Sequence, residues 1–271
     1  MRQTRSYTDL SLYRKCPRLF AFSLEFEPLE QNEAINTGIF THKAISAYFR
    51  GMEWQPAIEK ARTDALVRLN AIGDTEKRKQ ADKRVIASAG RAYQLSARYI
   101  DKWAKDYRAP LIEPELTLGK VVAHPDLIAY LKIGDTEFRT IVDFKTSKSP
   151  DMRWYDISGQ VDLYTFLLEE AYNDRIGLVA YDIISDEGIY RHTRPPQLKR
   201  GKEIYDNIDY LAQVSPTIGI KTGNYNKAHF QFDCPNRCVY WECCYLYETD
   251  GDEACKEYLE KYYIRREDEN E

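Results

Sequence analysis

No stretch of the 271 residues approaches the roughly 18 consecutive apolar positions that a membrane-spanning helix needs, and the opening Met1-Arg2-Gln3-Thr4-Arg5-Ser6 leads into no apolar signal-peptide core. The expectation is a cytoplasmic protein with no membrane partner. A phosphate-cradling Gly-x-x-x-x-Gly-Lys-Ser/Thr loop is also missing, which excludes a helicase motor of that type within the sequence. Basic excess is lacking too. Lys and Arg number 39 against 43 Asp and Glu, a net charge of −4 with a pI near 5.8. Coating of nucleic acid by bulk charge is thereby excluded, although carboxylates gathered around divalent cations leave an acidic protein with a locally positive surface. There is no repeat, low-complexity tract or long linker, and the balance of 43% apolar and 30% charged residues is that of an ordinary globular protein. A single domain over 1–271 is expected, frayed at its polar tail.

Six cysteines are present: Cys16, Cys234, Cys238, Cys243, Cys244 and Cys255, of which four crowd into 234–244. In a reducing compartment a disulfide framework is not expected, so the dense group reads as a metal or cluster site. Four thiolates hold zinc or an iron–sulfur cluster, and spacing alone leaves both open. Cys255, outside the group, suits a small buried apolar side chain.

The pattern changes along the chain. Two short helices fit 7–26, broken at Cys16-Pro17, and helical spacing over 37–50 carries His42 and ends at Gly51. Residues 56–103 read as two amphipathic helices parted near 71–74, a helical lobe over 52–108. Strand patterns then occupy 116–118, 121–122, 127–133 and 138–144. A helix is predicted over 156–172, a strand over 176–184 with a partner at 189–193, and a helix over 197–214.

Gly134-Asp135 between two of these strands is a type II′ hairpin signal, since glycine takes the positive φ of the first turn position. If Ile133 faces Thr136, paired positions sum to 269, which sets Asp126 opposite Asp143 and His124 opposite Lys145. Opposed side chains share a face about 4.5–5.5 Å apart, and two carboxylates so placed repel unless a cation or proton lies between them. Lys145, two residues past Asp143, is on that same face. Hard cations such as magnesium or manganese favour such oxygens, and a neighbouring ammonium orients a water and stabilises charge developing on phosphate. An isolated Asp-x-Lys equally suits an ion-paired strand surface; the opposed Asp126 is what sets this one apart. Gln160 and Tyr164, spaced i, i+4, share a helix face nearby.

These features occur in a specific order: Ser-Tyr-Thr-Asp-Leu-Ser-Leu-Tyr-Arg-Lys-Cys-Pro at 6–17, Thr-Gly-Ile-Phe-Thr-His at 37–42, Pro125-Asp126, Ile-Val-Asp-Phe-Lys-Thr at 141–146, Gln160-x-x-x-Tyr164 and a late cysteine group. The series, spread over about 240 residues, resembles the PD-(D/E)XK nuclease superfamily. Within it, the order is similar to the RecB-like branch that includes CRISPR-associated iron–sulfur exonucleases and AddB-type recombination nucleases.

The resemblance implies an α/β restriction-endonuclease-like fold, a mixed central sheet flanked by helices, with the helical lobe inserted and a cluster lobe built from 1–30 and 230–260. It implies metal-dependent exonuclease action on DNA ends or single strands. His42, Asp126, Asp143 and the carbonyl of Phe144 would bind manganese or magnesium, with Asp126, Asp143, Lys145, Gln160 and Tyr164 in the catalytic set and Glu115, near Glu113, as an additional acid. A 4Fe-4S cluster on Cys16, Cys234, Cys238 and Cys244 follows, the last chosen because Cys238 to Cys244 keeps the family's five-residue gap; Cys243 is the alternate and zinc the alternative metal. DNA is the implied partner, with a helicase, integrase or recombination protein beside it. Ala123-His124-Pro125 departs from the family's usual small residue two before Asp126, and Pro125 is expected to disturb local pairing. A DNA-binding or assembly module of the same fold that has lost catalysis is the competing reading, which the intact Asp126, Asp143 and Lys145 disfavour.

Overall fold

The computed structural model describes residues 4–148, 151–214 and 238–266; Cys234 lies outside them. Helices α1 (Tyr7–Lys15) and α2 (Pro17–Glu25) flank the predicted break. Ser6 and Asp9 close a reciprocal capping box on α1, and Pro17 occupies the first turn of α2, where its missing N–H leaves no bond unmade. Strand β1 (Phe26–Pro28) leads to α3 (Glu33–Phe49), which starts before position 37 because the Asn32 side chain accepts the N–H of Ile35 as an N-cap. Helices α4 (Gln55–Leu69) and α5 (Thr75–Lys102) follow, the second capped by Asp74. They pack with α3 around Phe40, Ala44, Ile58, Leu69 and Val85 as a three-helix lobe.

The main sheet has the order β2-β5-β6-β7-β8, formed by β2 (Tyr107–Ile112), β5 (Leu127–Ile133), β6 (Thr136–Ser147), β7 (Leu178–Ser185) and β8 (Ile189–Arg194). β6 and β7 are parallel, and the other neighbours antiparallel, so the sheet is mixed as expected. Of these five strands, only β2 was not anticipated. It carries Pro110, tolerated on an edge strand, and its register slips between Arg108 and Leu111, which hides the alternation. A separate hairpin joins β3 (Leu116–Leu118) to β4 (Val121–Ala123).

Helices cover both faces of the sheet. On one, Ile128, Ile141, Val179 and Ile183 pack with Val161 and Leu167 of α7 (Gln160–Tyr172) and Ile204 and Ile208 of α8 (Leu198–Val214). On the other, Leu127, Val142, Phe144 and Ile184 meet Ile45 of α3 and Leu95 and Tyr99 of α5. All eight residues of β7 are buried, which matches its nearly unbroken apolar run. The helix expected over 156–172 divides into α6 (Arg153–Ile157) and α7, because the chain turns at Ser158-Gly159. A Cβ on Gly159 would lie 2.1 Å from Ile204 Cδ1, so any side chain there would displace the tip of Ile204.

After position 238, α9 (Trp241–Thr249) and α10 (Asp252–Tyr262) double back around Gly251, whose φ is +88°, and β9 (Tyr263–Arg265) pairs with β1. No helix among the described residues is long and apolar enough to cross a membrane.

Candidate active site

The hairpin has the predicted register. Gly134 has φ +59° while Asp135 has no positive φ, as type II′ requires, and the ladder runs from Ile133 with Thr136 to Leu127 with Val142. It ends there. Asp126, one position further, replaces backbone pairing with its side chain: the Phe144 N–H donates to its Oδ2 at 2.7 Å. His124 is exposed and does not come opposite Lys145. Pro125 has no N–H to extend the ladder, and the chain instead turns into β4, whose partner is β3.

Helix α3 reaches the same place from the helical lobe. An added Cβ on Gly38 would sit 3.1 Å from Thr146 Oγ1, so the glycine lets α3 lie close on β6. One turn on, His42 Nδ1 is 3.1 Å from Asp126 Oδ1, and its ring stands edge-on to Phe144. Lys145 Nζ lies 2.6 Å from Asp143 Oδ2 as an ion pair, donates to Gln160 Oε1 at 3.0 Å, and Gln160 Nε2 donates to the Tyr164 hydroxyl at 2.6 Å. The i, i+4 pair of α7 is thus wired to the strand lysine. Buried Asp162 accepts from Arg194, Arg200 and the Gln197 N–H, which anchors the first turn of α7.

Electrostatics divide the two acids. Burial raises the Asp143 carboxyl, Lys145 opposes, and the Asp126 charge adds to the rise; the net direction is upward. Burial also acts on Asp126, but His42 and the Phe144 N–H outweigh it, so its carboxyl is held low. Burial disfavours charge on His42 and on Lys145, yet their carboxylate partners prevail and both are shifted upward. Tyr164 is pushed well above its ordinary range by burial and then by Asp143 and Asp126.

The structure therefore joins His42, Asp126, Asp143, Lys145, Gln160 and Tyr164, with Phe144 contributing an observed N–H contact. Glu115 is exposed and no hydrogen bond or ion pair ties it to this group. Its neighbour Glu113 is nearer: its N–H donates to the Asp126 carbonyl at 3.0 Å, and its carboxylate pairs with Arg50 at 2.6 Å. Two tyrosines had no sequence signal. Tyr181 stands beside Asp143 in the parallel register and is pushed up to about 12, chiefly by burial, while Tyr155 packs on it with ring centroids 4.9 Å apart.

Among the described residues no group of three or more His, Cys, Asp or Glu side chains is arranged to hold a metal ion. The donor chemistry nevertheless suits a hard divalent cation: the His42 imidazole meets the Asp126 carboxylate, the charge of Asp143 acts on His42 and that of Asp126 on Asp143, and Asp143 Oδ2, though ion-paired, is buried without a well-formed hydrogen bond.

The cysteines differ from expectation. Cys16, Cys238, Cys243, Cys244 and Cys255 all join one packed group with Phe22, Tyr240 and Leu259. Cys255 is no bystander. The hairpin of α9 and α10 sets it against Cys243 in a disulfide, which also corrects the expectation of no disulfides and takes Cys243, the alternate ligand, out of the thiolate set. Arg18 donates to Cys244 Sγ at 3.4 Å.

No curated protein matches the sequence significantly. Among solved structures, one described as a "Putative exonuclease" from Eubacterium rectale superposes with a TM-score of 0.54 at 13% identity, covering 88% of this chain and 89% of that one. Another, that of SSO0001, is 12% identical over 89% of this chain and 84% of its own, with a TM-score of 0.38. At 13% identity the likeness to the first of these concerns the fold alone. The sequence itself is more informative: residues 4–245 match the family model of the PD-(D/E)XK nuclease superfamily, and the chain belongs to that superfamily.

Proposed function

We propose that this nuclease is a divalent-cation-dependent DNA exonuclease that hydrolyses phosphodiester bonds at ends or in single strands. The observation that carries the reading is the placement of Asp126 against Asp143 across one hairpin, with Lys145 on the same strand linked to Gln160. An ion-paired strand surface needs neither a second, half-buried carboxylate nor a helical histidine beside it.

His42, Asp126 and Asp143, with the Phe144 carbonyl, would hold magnesium or manganese, which when bound supplies an acidified water and neutralises phosphate charge. The chain's own groups have separate tasks. Lys145 keeps its proton, since Asp143 holds its pKa up, and so acts as a fixed cation toward the phosphate rather than as a base. Gln160 aims that ammonium, and Tyr164, kept neutral, aims Gln160. The close packing of α3, β6 and α7 keeps most bulk water from Asp143, which is 3% exposed, and strengthens each interaction.

Cys16, Cys238 and Cys244, with Cys234, are proposed to bind a 4Fe-4S cluster that joins the chain ends as a lobe distinct from the helical one. In support, Cys16 from one end of the sequence and Cys238 and Cys244 from the other enter one packed group. A motor partner would supply unwinding, since the sequence carries no phosphate-binding loop of that kind.

The test is degradation of end-labelled linear single- and double-stranded DNA, with closed circles as controls, in manganese, magnesium or chelator. Mononucleotides or short products released from linear substrates only with metal are expected. Cutting of circles as fast as of linear DNA would replace exonuclease by endonuclease action, and no cutting under any condition would refute the enzyme.

A further inference from the structure

A cavity of about 480 Å³ opens between α3, α4 and the chain around β1, and none of His42, Asp126, Asp143 or Lys145 lines it. That size falls within the roughly 300–1,000 Å³ of small-molecule sites and is too small for duplex DNA. Leu29, Phe40 and Leu69 give it an apolar floor. Its charged lining contrasts with the acidic chain as a whole: Lys43, Arg50, Lys60 and Arg68 stand against Glu27 and Asp64.

Three of those cations are already engaged. Arg68 pairs with Glu27, Lys60 with Asp64, and Arg50 with Glu113. Lys43 is exposed; its charge acts on Glu113, but it forms no ion pair or hydrogen bond among the described residues. The wall also holds Gln31, whose Oε1 is buried and accepts no hydrogen bond. A buried acceptor without a donor costs free energy that a ligand N–H would recover. The cavity therefore combines an apolar floor, an unanswered acceptor and an exposed cation, which match the base, the base N–H edge and the phosphate of a nucleotide.

Its position relates it to the candidate centre. At about 100° per residue, Ile39 and Ile35 follow His42 along one stripe of α3, and Lys43 borders it. Both isoleucines are exposed, at 40% and 44%, and Ile39 and Lys43 belong to the cavity lining. An apolar path thus leads along α3 from His42 to the cavity. Glu113 ties the two regions together, since its N–H bonds the Asp126 carbonyl while its carboxylate pairs with Arg50.

We propose that this cavity receives one nucleotide of a single-stranded DNA end, its base on Phe40 and Leu69 with an N–H on Gln31 and its phosphate at Lys43. The inference rests on the nuclease reading and adds to it the site that grips the strand. Binding is measured by fluorescence anisotropy with a labelled linear single-stranded 12-mer, calcium replacing magnesium so that cleavage is not required. Ala61→Trp, which fills the cavity from α4, should weaken binding at least tenfold with an unchanged circular-dichroism spectrum, and the surface variant Lys43→Glu should weaken it at least fivefold. A terminal 5-iododeoxyuridine should photocrosslink to the peptides holding Phe40 or Met52.

Wild-type affinity in both variants, or crosslinks confined to other peptides, overturns the proposal. Wild-type protein that cuts DNA while both variants bind normally refutes the cavity alone. Wild-type protein that neither binds nor cuts refutes the nuclease reading with it.

Discussion

Phe144 donates its backbone N–H to Oδ2 of Asp126 at 2.7 Å, so the residue between Asp143 and Lys145 fixes the carboxylate on the opposite strand. Asp126 stands where the ladder has ended, and its side chain takes over the role that a backbone carbonyl has elsewhere in the sheet. The same carboxylate meets His42 through its other oxygen. One side chain is therefore both the last link of the hairpin and a candidate ligand.

These two roles separate under substitution. Asp126→Asn retains an acceptor for the Phe144 N–H and should keep stability within about 1 kcal/mol, whereas Asp126→Ala strands that donor and should cost about 1–3 kcal/mol. Both should lower metal-dependent cleavage at least a hundredfold, because both lose the charge. Urea denaturation and single-turnover cleavage measure the two effects. An active Asp126→Asn protein would show that the residue is structural only.

The chain from Lys145 through Gln160 to Tyr164 predicts a graded series. Lys145→Ala removes the cation itself and should cost at least a hundredfold in rate. Gln160→Ala frees the ammonium from its aim and should cost roughly tenfold. Tyr164→Phe loses only the hydroxyl that receives the Gln160 bond, so a change within about threefold is expected. Single-turnover rates at saturating enzyme order the three; a Tyr164→Phe protein slower than Lys145→Ala would reverse the assignment.

The hairpin was legible because Gly134-Asp135 fixes a register by local backbone geometry alone, and that register carries Asp126 to Asp143 without knowledge of the fold. His124 was misplaced for the complementary reason: a register extrapolates only while both strands can pair, and Pro125 stops it. Edge strand β2 was missed because Pro110 and a bulge break its alternation. Tyr155 and Tyr181 were invisible since only the parallel β6–β7 pairing, a long-range event, brings Tyr181 beside Asp143. Cys255 fell outside the dense group in sequence, and only the turn at Gly251 returns it to Cys243.

A second buried network predicts alkaline instability. Asp182 accepts from the hydroxyls of Tyr99 and Tyr107 at 2.8 Å each and from Arg191. Burial first, then the Asp182 charge, holds both phenols well above their ordinary value of 10.0. Below that value they are protonated in the folded and unfolded states alike, and the full stability is present. Above it the unfolded chain releases protons that the folded protein retains, so stability falls as pH rises. Thermal midpoints between pH 8 and 11 should decline, and Tyr99→Phe with Tyr107→Phe should decline less steeply while starting lower. An equal slope in the double variant would remove these tyrosines from the cause.

Salt should weaken DNA binding steeply although the chain is acidic, since contact with phosphates releases counterions whatever the protein's total charge. With calcium present, the logarithm of affinity should fall linearly with the logarithm of salt concentration. A flat titration would mean that phosphate contacts do not dominate.

The chain ends are clasped twice, which allows the cysteines' contribution to be isolated. β1 pairs with β9, and the Tyr240 hydroxyl donates to the Phe26 carbonyl at 2.6 Å, so backbone and side-chain bonds join the ends without any metal. Thiolate ligation through Cys16 and the late cysteines would close a loop of more than two hundred residues, where restriction of the unfolded chain is expected to be large. Protein purified without oxygen should be brown and carry iron and sulfide. Cys16→Ala and Cys244→Ala should lose the colour and several degrees of thermal midpoint, yet refold to a native circular-dichroism spectrum because the β1–β9 clasp remains. Cys255→Ala should keep the colour but lose stability, since Cys255 is 2% exposed and bonded to Cys243 across a sequence separation of 12. Closing a loop near that length contributes about 3 kcal/mol in the chain-entropy model. Thiol titration under denaturing conditions checks the pairing directly: Cys243 and Cys255 should react only after reduction. Colourless protein with stoichiometric zinc would exchange the metal and keep the clasp, whereas a Cys16→Ala protein as stable as wild type would leave the β1–β9 pairing as what holds the ends together.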